Sequence, residues 1–522
     1  MSFSTNNLAV QFTGALLAAA LLAPGSARAQ TQTALYNFAP NATDEYLKGA
    51  GPKDEVIEAP DGSFFTTTQQ GGDSPACPTS SFPHGCGTVV HLKGKTIKVI
   101  ASFPAPTAGG VDGYYPVGGL VQGPDGALYG TTTGGPTPAN FGTVFKLVEQ
   151  PNGSWLQTTL HVFTGGNECA APIDGATPLG RLAFGPDGLL YGTTQNGGCV
   201  LESGENPYNN QGTIFRLATD GSVYQVLWMF NGFFDTADGV GPQAGLTLGP
   251  GGQFYGTTHF GGLDDTGTVF KFDPVAPGLT VMHSFSGLSP DGGVPIGALT
   301  LGSDGLLWST TATATNGDDP TYYGTVFKIR PTSPYALTSY GFAGLAEQGY
   351  YSMPQAGLIQ ASDGKFYGTT GNGAFYSITE SGVFGELGVY PTTLATTGPL
   401  AVPLQGSSGD IYTTTSDGGP TSFGNSDIGA IYAYSASLPK PKPIVSWFLP
   451  THAPVAASVV IAGANFVKTS KVIFKGTTTT ATFTVNASGF ITAVVPAGAV
   501  TGPVKITTPA GRVTSGVVFT VP

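Results

Sequence analysis

Charged side chains are scarce in this chain: 20 Lys and Arg and 32 Asp and Glu among 522 residues leave a formal charge of −12. So few basic residues provide no footprint for capturing nucleic acid or anionic lipid, and partners of that kind are excluded. The six histidines are scattered. No Gly-x-Ser-x-Gly elbow, His-Glu-x-x-His pair or nucleotide-binding loop is present, so no recognised catalytic signature identifies a reaction. Beyond residue 23 no apolar run approaches the length that spans a bilayer.

The short apolar run that does occur lies at the start. Ala15 to Ala23, followed by the small residues of Ala27-Arg28-Ala29, reads as an export signal over residues 1–29, with Gln30 as the new terminus. Its n-region carries no Lys or Arg, and the alternative is an uncleaved anchor. No transmembrane segment is expected after cleavage, which places the mature protein in a secreted, periplasmic or cell-surface location. An oxidising compartment suits the four cysteines. Cys77 with Cys86 and Cys169 with Cys199 are expected to pair as disulfides. Metal binding is the competing reading, but no Cys-x-x-Cys spacing occurs and no His adjoins either pair.

What the chain does have is a repeat. Gly123-Pro124-Asp125-Gly126-Ala127-Leu128-Tyr129-Gly130-Thr131-Thr132, followed by Gly142-Thr143-Val144-Phe145-Lys146-Leu147, is the cleanest of seven copies. The same turn recurs at Asp61, Asp187, Gly251, Asp304, Asp363 and Ser408. Each copy holds four strand candidates, as in 119–122, 127–132, 143–148 and 158–163. The prediction is an all-β chain whose residues 30–435 form a seven-bladed β-propeller.

Asp-Gly suits the two-residue hairpin between the first two strands, because Gly takes positive φ freely and Asp tolerates it. Where Asp is absent, Gly251 and Ser408 still form turns, so the carboxylate is read as a turn residue. Gly130, Gly192, Gly256 and Gly368 interrupt the second strand at one fixed place, where a neighbouring backbone is expected to come close. A Leu-x-x-Phe fourth-strand motif recurs at 160–163, 227–230 and 282–285. Its extra copy, Leu35-Tyr36-Asn37-Phe38, precedes the first unit, while the last unit lacks one. The N-terminal strand is therefore expected to complete the last blade and close the ring.

These paired motifs, as in Asp187 to Thr194 with Gly212 to Arg216, resemble the GloVer tandem repeat of exported bacterial proteins over residues 33 to about 435. The resemblance implies an exported protein and supplies no catalytic residues. Pro439-Lys440-Pro441-Lys442-Pro443 then breaks the pattern and marks a stiff linker over 436–443. Short β-branched runs over residues 444–522 predict an immunoglobulin-like β-sandwich. Segments such as Ile461-Ala462-Gly463-Ala464-Asn465-Phe466 and Val472-Ile473-Phe474-Lys475-Gly476 resemble the IPT/TIG domain, which implies a binding or spacer module.

The irregular sequence falls on one face of the predicted disc, opposite the Asp-Gly turns, and recognition is expected there. Asp112, Asp174, Asp238 and Asp291, each in an interblade Asp-Gly followed by Pro, are candidates for a carboxylate ring near the channel mouth. Such a ring would suit Ca²⁺ or sugar hydroxyls, and the alternative is a set of turn residues. No cofactor is otherwise implied.

The loop pairs Tyr114-Tyr115, Phe233-Phe234, Tyr322-Tyr323 and Tyr350-Tyr351 are candidates for stacking on sugars, or for filling gaps between blades. His259 stands where other units carry Gln69, Thr133 or Gln195, and is the lone candidate general base. The expected function is an exported binding protein that recognises a glycan or a cell-surface protein through this face. The alternatives are a polysaccharide lyase or hydrolase with its site on the same face, and a passive structural component of the surface.

Overall fold

Each repeat unit folds into one antiparallel sheet of four strands. In the second unit these are Val121–Gln122, Leu128–Gly134, Thr143–Glu149 and Trp155–Val162. A further short strand, Tyr114–Pro116, pairs with the end of Leu128–Gly134. Among the described residues seven such sheets succeed one another, named sheets 1 to 7 here, and no α-helix occurs. The computed structural model describes residues 31–38, 47–73, 77, 85–105, 112–136, 140–165, 174–198, 211–231, 238–313, 324–342, 354, 356–371, 374–389, 401–416 and 429–522. The export segment, Cys169, Cys199, Phe233, Phe234, Tyr322, Tyr323, Tyr350 and Tyr351 lie outside them.

The second strands are buried almost throughout, with Thr133 of sheet 2 half-buried, because both faces of each sheet are covered. Every seam between neighbours is an apolar cluster. Leu120, Leu128, Phe145 and Leu147 of sheet 2 meet Ile57, Phe65, Val89 and Phe103 of sheet 1. Leu246, Phe254 and Phe270 of sheet 4 meet Tyr191, Ile214 and Phe230 of sheet 3. Tyr412 and Ile431 of sheet 7 pack on Phe64, Val90 and Leu92 of sheet 1, so the last sheet meets the first. The strand Thr31–Asn37 pairs antiparallel with Ala430–Ser435 and supplies the outer strand of sheet 7, as the surplus motif predicts.

The repeat motif has a side-chain logic beyond its turn. In five sheets the last Thr of the second strand bonds the Thr that opens the facing third strand, at 2.7 Å for Thr132 and Thr143 and 2.8 Å for Thr194 and Thr213 and for Thr311 and Thr325. Thr68 with Thr88 and Thr258 with Thr268 repeat the rung at 2.7 and 2.9 Å. The strand glycines correct the sequence expectation. A Cβ on Gly130, Gly192 or Gly256 would lie 2.4–2.5 Å from the ring tip of Phe145, Phe215 or Phe270, so the missing side chain makes room for the facing phenylalanine and not for backbone.

Residues 444–522 form two further sheets. Ile444–Leu449, Ser458–Ala464, Phe490–Val494 and Phe483–Ala487 make one, and Lys471–Ile473, Lys505–Thr508 and Gly511–Thr514 the other. Val459, Ile461, Phe466, Val472, Phe474, Ile491 and Ile506 fill the space between them.

This tail is seated on the ring of sheets. Ala462, Ala487 and Phe490 belong to the apolar cluster of sheets 2 and 3, with Phe490 edge-on to Phe184 at 5.3 Å. Leu449 lies at the Asp-Gly turn of sheet 3 and Asn486 at that of sheet 2. The linker follows the turns of sheets 6 and 7, where Pro439 O accepts from Ser362 Oγ and, at 3.1 Å, from Gln405 Nε2. Tail and linker thus both rest on the turn face.

Candidate functional site on the loop face

The interblade carboxylates are held at the outer strands. Asp174 is buried, at 3% exposure, and accepts from Tyr224 Oη at 2.5 Å and Thr164 N at 2.8 Å, with His161 Nε2 at 3.2 Å. The imidazole of His161 lies 3.6 Å from the Tyr224 ring, nearly parallel to it. Burial raises the Asp174 pKa, but the bonds from His161 and Tyr224 outweigh it and hold the carboxyl below its usual range.

Asp238 accepts from Trp228 Nε1 at 3.1 Å and Asn231 N at 2.9 Å, and burial prevails there to push its pKa up. Asp291 pairs with His283 Nε2 at 2.7 Å and Ser286 N at 2.8 Å. Burial opposes these bonds without overcoming them, and Asp291 stays below the usual range. Asp112 is exposed and accepts from Thr159 Oγ1 at 3.3 Å.

These four do not line the channel mouth. Asp174, Asp238 and Asp291 are tied to the fourth strand that precedes each of them, whereas Asp112 bonds the fourth strand of the sheet that follows it, as Asp174 also does through Tyr224. The three preceding-strand donors, His161, Trp228 and His283, occupy the second position of the Leu-x-x-Phe motif. A recurrence at one repeat position in three successive sheets marks a structural latch. The motif carried that signal, and sequence reading used it only to count strands. Among the described residues no three His, Cys, Asp or Glu gather as metal ligands would.

Of the aromatic pairs, only Tyr114-Tyr115 lies within the described residues. Tyr114 is buried, donates to Asn140 Oδ1 at 2.5 Å and packs at the seam of sheets 1 and 2. Tyr115, at φ 57°, is half-buried with its ring 5.0 Å from that of Tyr114. Nearby, Cys77 and Cys86 form a disulfide, as expected for that pair.

Closer to the axis, the segments that open each first strand converge. Their two axial residues are Gly118-Gly119, Gly180-Arg181, Ala244-Gly245, Gly297-Ala298, Ala356-Gly357 and Ala401-Val402 in sheets 2 to 7, but Asp54-Glu55 in sheet 1. Arg181 lies over Gly119, where a Cβ would meet its Cβ, Cγ and Cδ at 3.6–3.8 Å, and ion-pairs with Glu55, two sheets away. Asp54 accepts from Thr67 Oγ1 at 3.1 Å and from the Gly119 amide.

Sheet 4 carries the other polar group at this end. Gln243 Nε2 donates to His259 Nδ1, an arrangement that leaves the proton of the neutral ring on Nε2. Burial lowers the His259 pKa, so the ring is neutral at pH 7. Phe260, stacked on it at 4.2 Å, is 46% exposed, and Leu263 in the same loop is 82% exposed. The described counterparts of Phe260 in other sheets are Gln70, Gly134, Asn196 and Thr313. The exposed ring therefore departs from the repeat, a departure that comparison of the copies reveals and that sequence reading stopped short of at His259.

Two solved structures illustrate what the chain resembles. A fungal alcohol oxidase in complex with copper is 13% identical, with a TM-score of 0.45 over 94% of this chain and 98% of that one. A nidogen/laminin complex is 15% identical, with a TM-score of 0.35 over 57% of this chain and 88% of that one. No curated protein matches the chain. The pattern of the Gloeobacter/Verrucomicrobia repeat matches residues 25–233 and 200–425. By that match, which spans most of its length, the chain belongs to the Gloeobacter/Verrucomicrobia repeat family.

Proposed function

We propose that this is an exported binding protein of the cell surface or its surroundings, a seven-bladed β-propeller with an immunoglobulin-like, IPT/TIG-type C-terminal domain, which recognises a glycan through its loop face. The observation that carries this reading is the seating of residues 444–522 on the turn face at sheets 2 and 3, which leaves the opposite face for a ligand. That face bears Phe260, whose exposed ring suits the apolar side of a sugar, and the neutral His259 beside it. Neutral polar groups and an aromatic platform bind an uncharged ligand without needing the basic footprint that the chain lacks.

Incubating the mature protein with a panel of bacterial and plant polysaccharides tests the reading, with retention and product formation both recorded. Retention without products is the expected result. Phe260→Ala then weakens it by about 1–2 kcal/mol, roughly tenfold in affinity. Shortened or unsaturated products would overturn binding alone and make His259 the first residue to replace. Failure to bind any polysaccharide would overturn glycan recognition.

A further inference from the structure

Six of the seven seams share one axial hydrogen bond. The middle Thr of the second strand donates to a main-chain carbonyl in the opening segment of the next sheet. Thr193 reaches Ala244 O at 3.0 Å, Thr310 reaches Ala356 O at 2.8 Å and Thr414 reaches Asp54 O at 2.8 Å. Thr131 to Pro178, Thr257 to Gly297 and Thr369 to Ala401 repeat it at 3.4–3.5 Å.

The seam of sheets 1 and 2 is built differently. There the equivalent Thr67 bonds the Asp54 carboxyl, and the same carboxyl takes the Gly119 amide of sheet 2. A titratable group thus replaces a main-chain carbonyl at one joint of the ring. We propose that this seam is a pH-sensitive latch, closed when Asp54 carries a proton and loosened when Asp54 ionises.

The surroundings of Asp54 favour the neutral form. Its residue surface keeps partial exposure, but the carboxyl itself is packed round by protein atoms, and that desolvation raises its pKa to about 7 against the bonds from Gly119 and Thr67. Glu55, adjacent in sequence, adds repulsion and has Arg181 as its own partner, while Lys53 offsets the shift slightly. The carboxyl is bonded by Thr67 from the second strand of sheet 1 and by the Gly119 amide from sheet 2, while Thr66 and, from sheet 7, the Thr414 hydroxyl bond the Asp54 main-chain carbonyl. None of these brings a cation.

Protonated, the carboxyl keeps oxygens that accept from Thr67 Oγ1 and the Gly119 amide, and no charge is buried. The sign follows from a folded pKa above the unfolded one: stability is fully present below about pH 4 and is lost as pH rises towards 7.

The test is hydrogen–deuterium exchange of the segment around Gly119 in the full mature chain between pH 5 and 9, corrected for intrinsic exchange and compared with Asp54→Asn. In the wild type, protection of this segment is expected to fall by about tenfold per pH unit up to about pH 7 and then level off. In Asp54→Asn, where the amide cannot ionise, that fall is absent while the seam of sheets 3 and 4 behaves as in the wild type. Glu58 and Asp238, also raised by burial, give the global stability a slope of the same sign, so the local readout is the decisive one. Wild-type protection that does not change with pH, or a fall that persists in the variant, would overturn the latch. If Asp54→Asn does not fold, the wild-type profile alone decides.

Discussion

Gly192 shows how a single absent methyl organises a unit. A Cβ there would sit 2.5 Å from the Phe215 ring and 2.8 Å from Leu182, both fully enclosed. Gly192→Ala is expected to destabilise the fold by about 1–3 kcal/mol through overpacking. Pairing it with Phe215→Leu should recover part of that loss, and denaturant unfolding of the two variants checks both figures. An unchanged midpoint in the single variant would show that the strand simply shifts.

At this scale the sequence was legible where a residue acts on its own backbone. Asp125 and Asp187 do serve the hairpin turn, accepting from the amides of Ala127 and Leu189 at 3.2 Å. The turn is not the expected two-residue one: Gly126 and Gly188 alone take positive φ, and their amides close Gly-Pro-Asp-Gly turns onto Gly123 O and Gly185 O, so Pro and Asp are its central residues. It was less legible where the partner lies across a strand. Tyr129 and Tyr191 reach back to those same carboxylates at 2.7 Å, and Trp308 keeps the contact through its Nε1 at 3.1 Å from Asp304. Packing alone therefore understates why Trp308 can stand for Tyr. Asp174, Asp238 and Asp291 eluded reading as latches because their donors lie 8–13 residues away in the preceding strand, beyond any local motif.

Strands and sheets were the most legible level, since four short alternating runs with a turn between the first two admit few arrangements. The surplus Leu35-Tyr36-Asn37-Phe38 even disclosed the pairing of Thr31–Asn37 with the last sheet. Removing residues 30–37 should destabilise the protein by about 3–6 kcal/mol, from lost burial of Leu35 and Tyr36 and an unpaired edge at Ala430–Ser435. Supplying a peptide of that sequence in trans should restore the melting temperature by pairing with the open strand. A truncated chain as stable as the parent would refute the closing role of this strand.

For the whole molecule, alternation and turn signals outlined the tail but could not tell where it rests. Docking depends on surfaces that come together only after folding: Phe184 beside a turn of the ring and Phe490 on a sheet of the tail read separately as ordinary strand residues. The proline-rich linker reads as stiff from its own composition, which does not disclose that its Pro439 carbonyl is held by Ser362 and Gln405. The position of the tail also decides which face of the ring is left for a ligand, and the functional proposal rests on it.

Small-angle X-ray scattering of the mature full chain tests this most directly. A seated tail predicts one compact particle with a radius of gyration close to the ~23 Å of a folded chain of this length. A two-lobed, extended profile would contradict the docking and return the turn face to the surfaces where a ligand could bind.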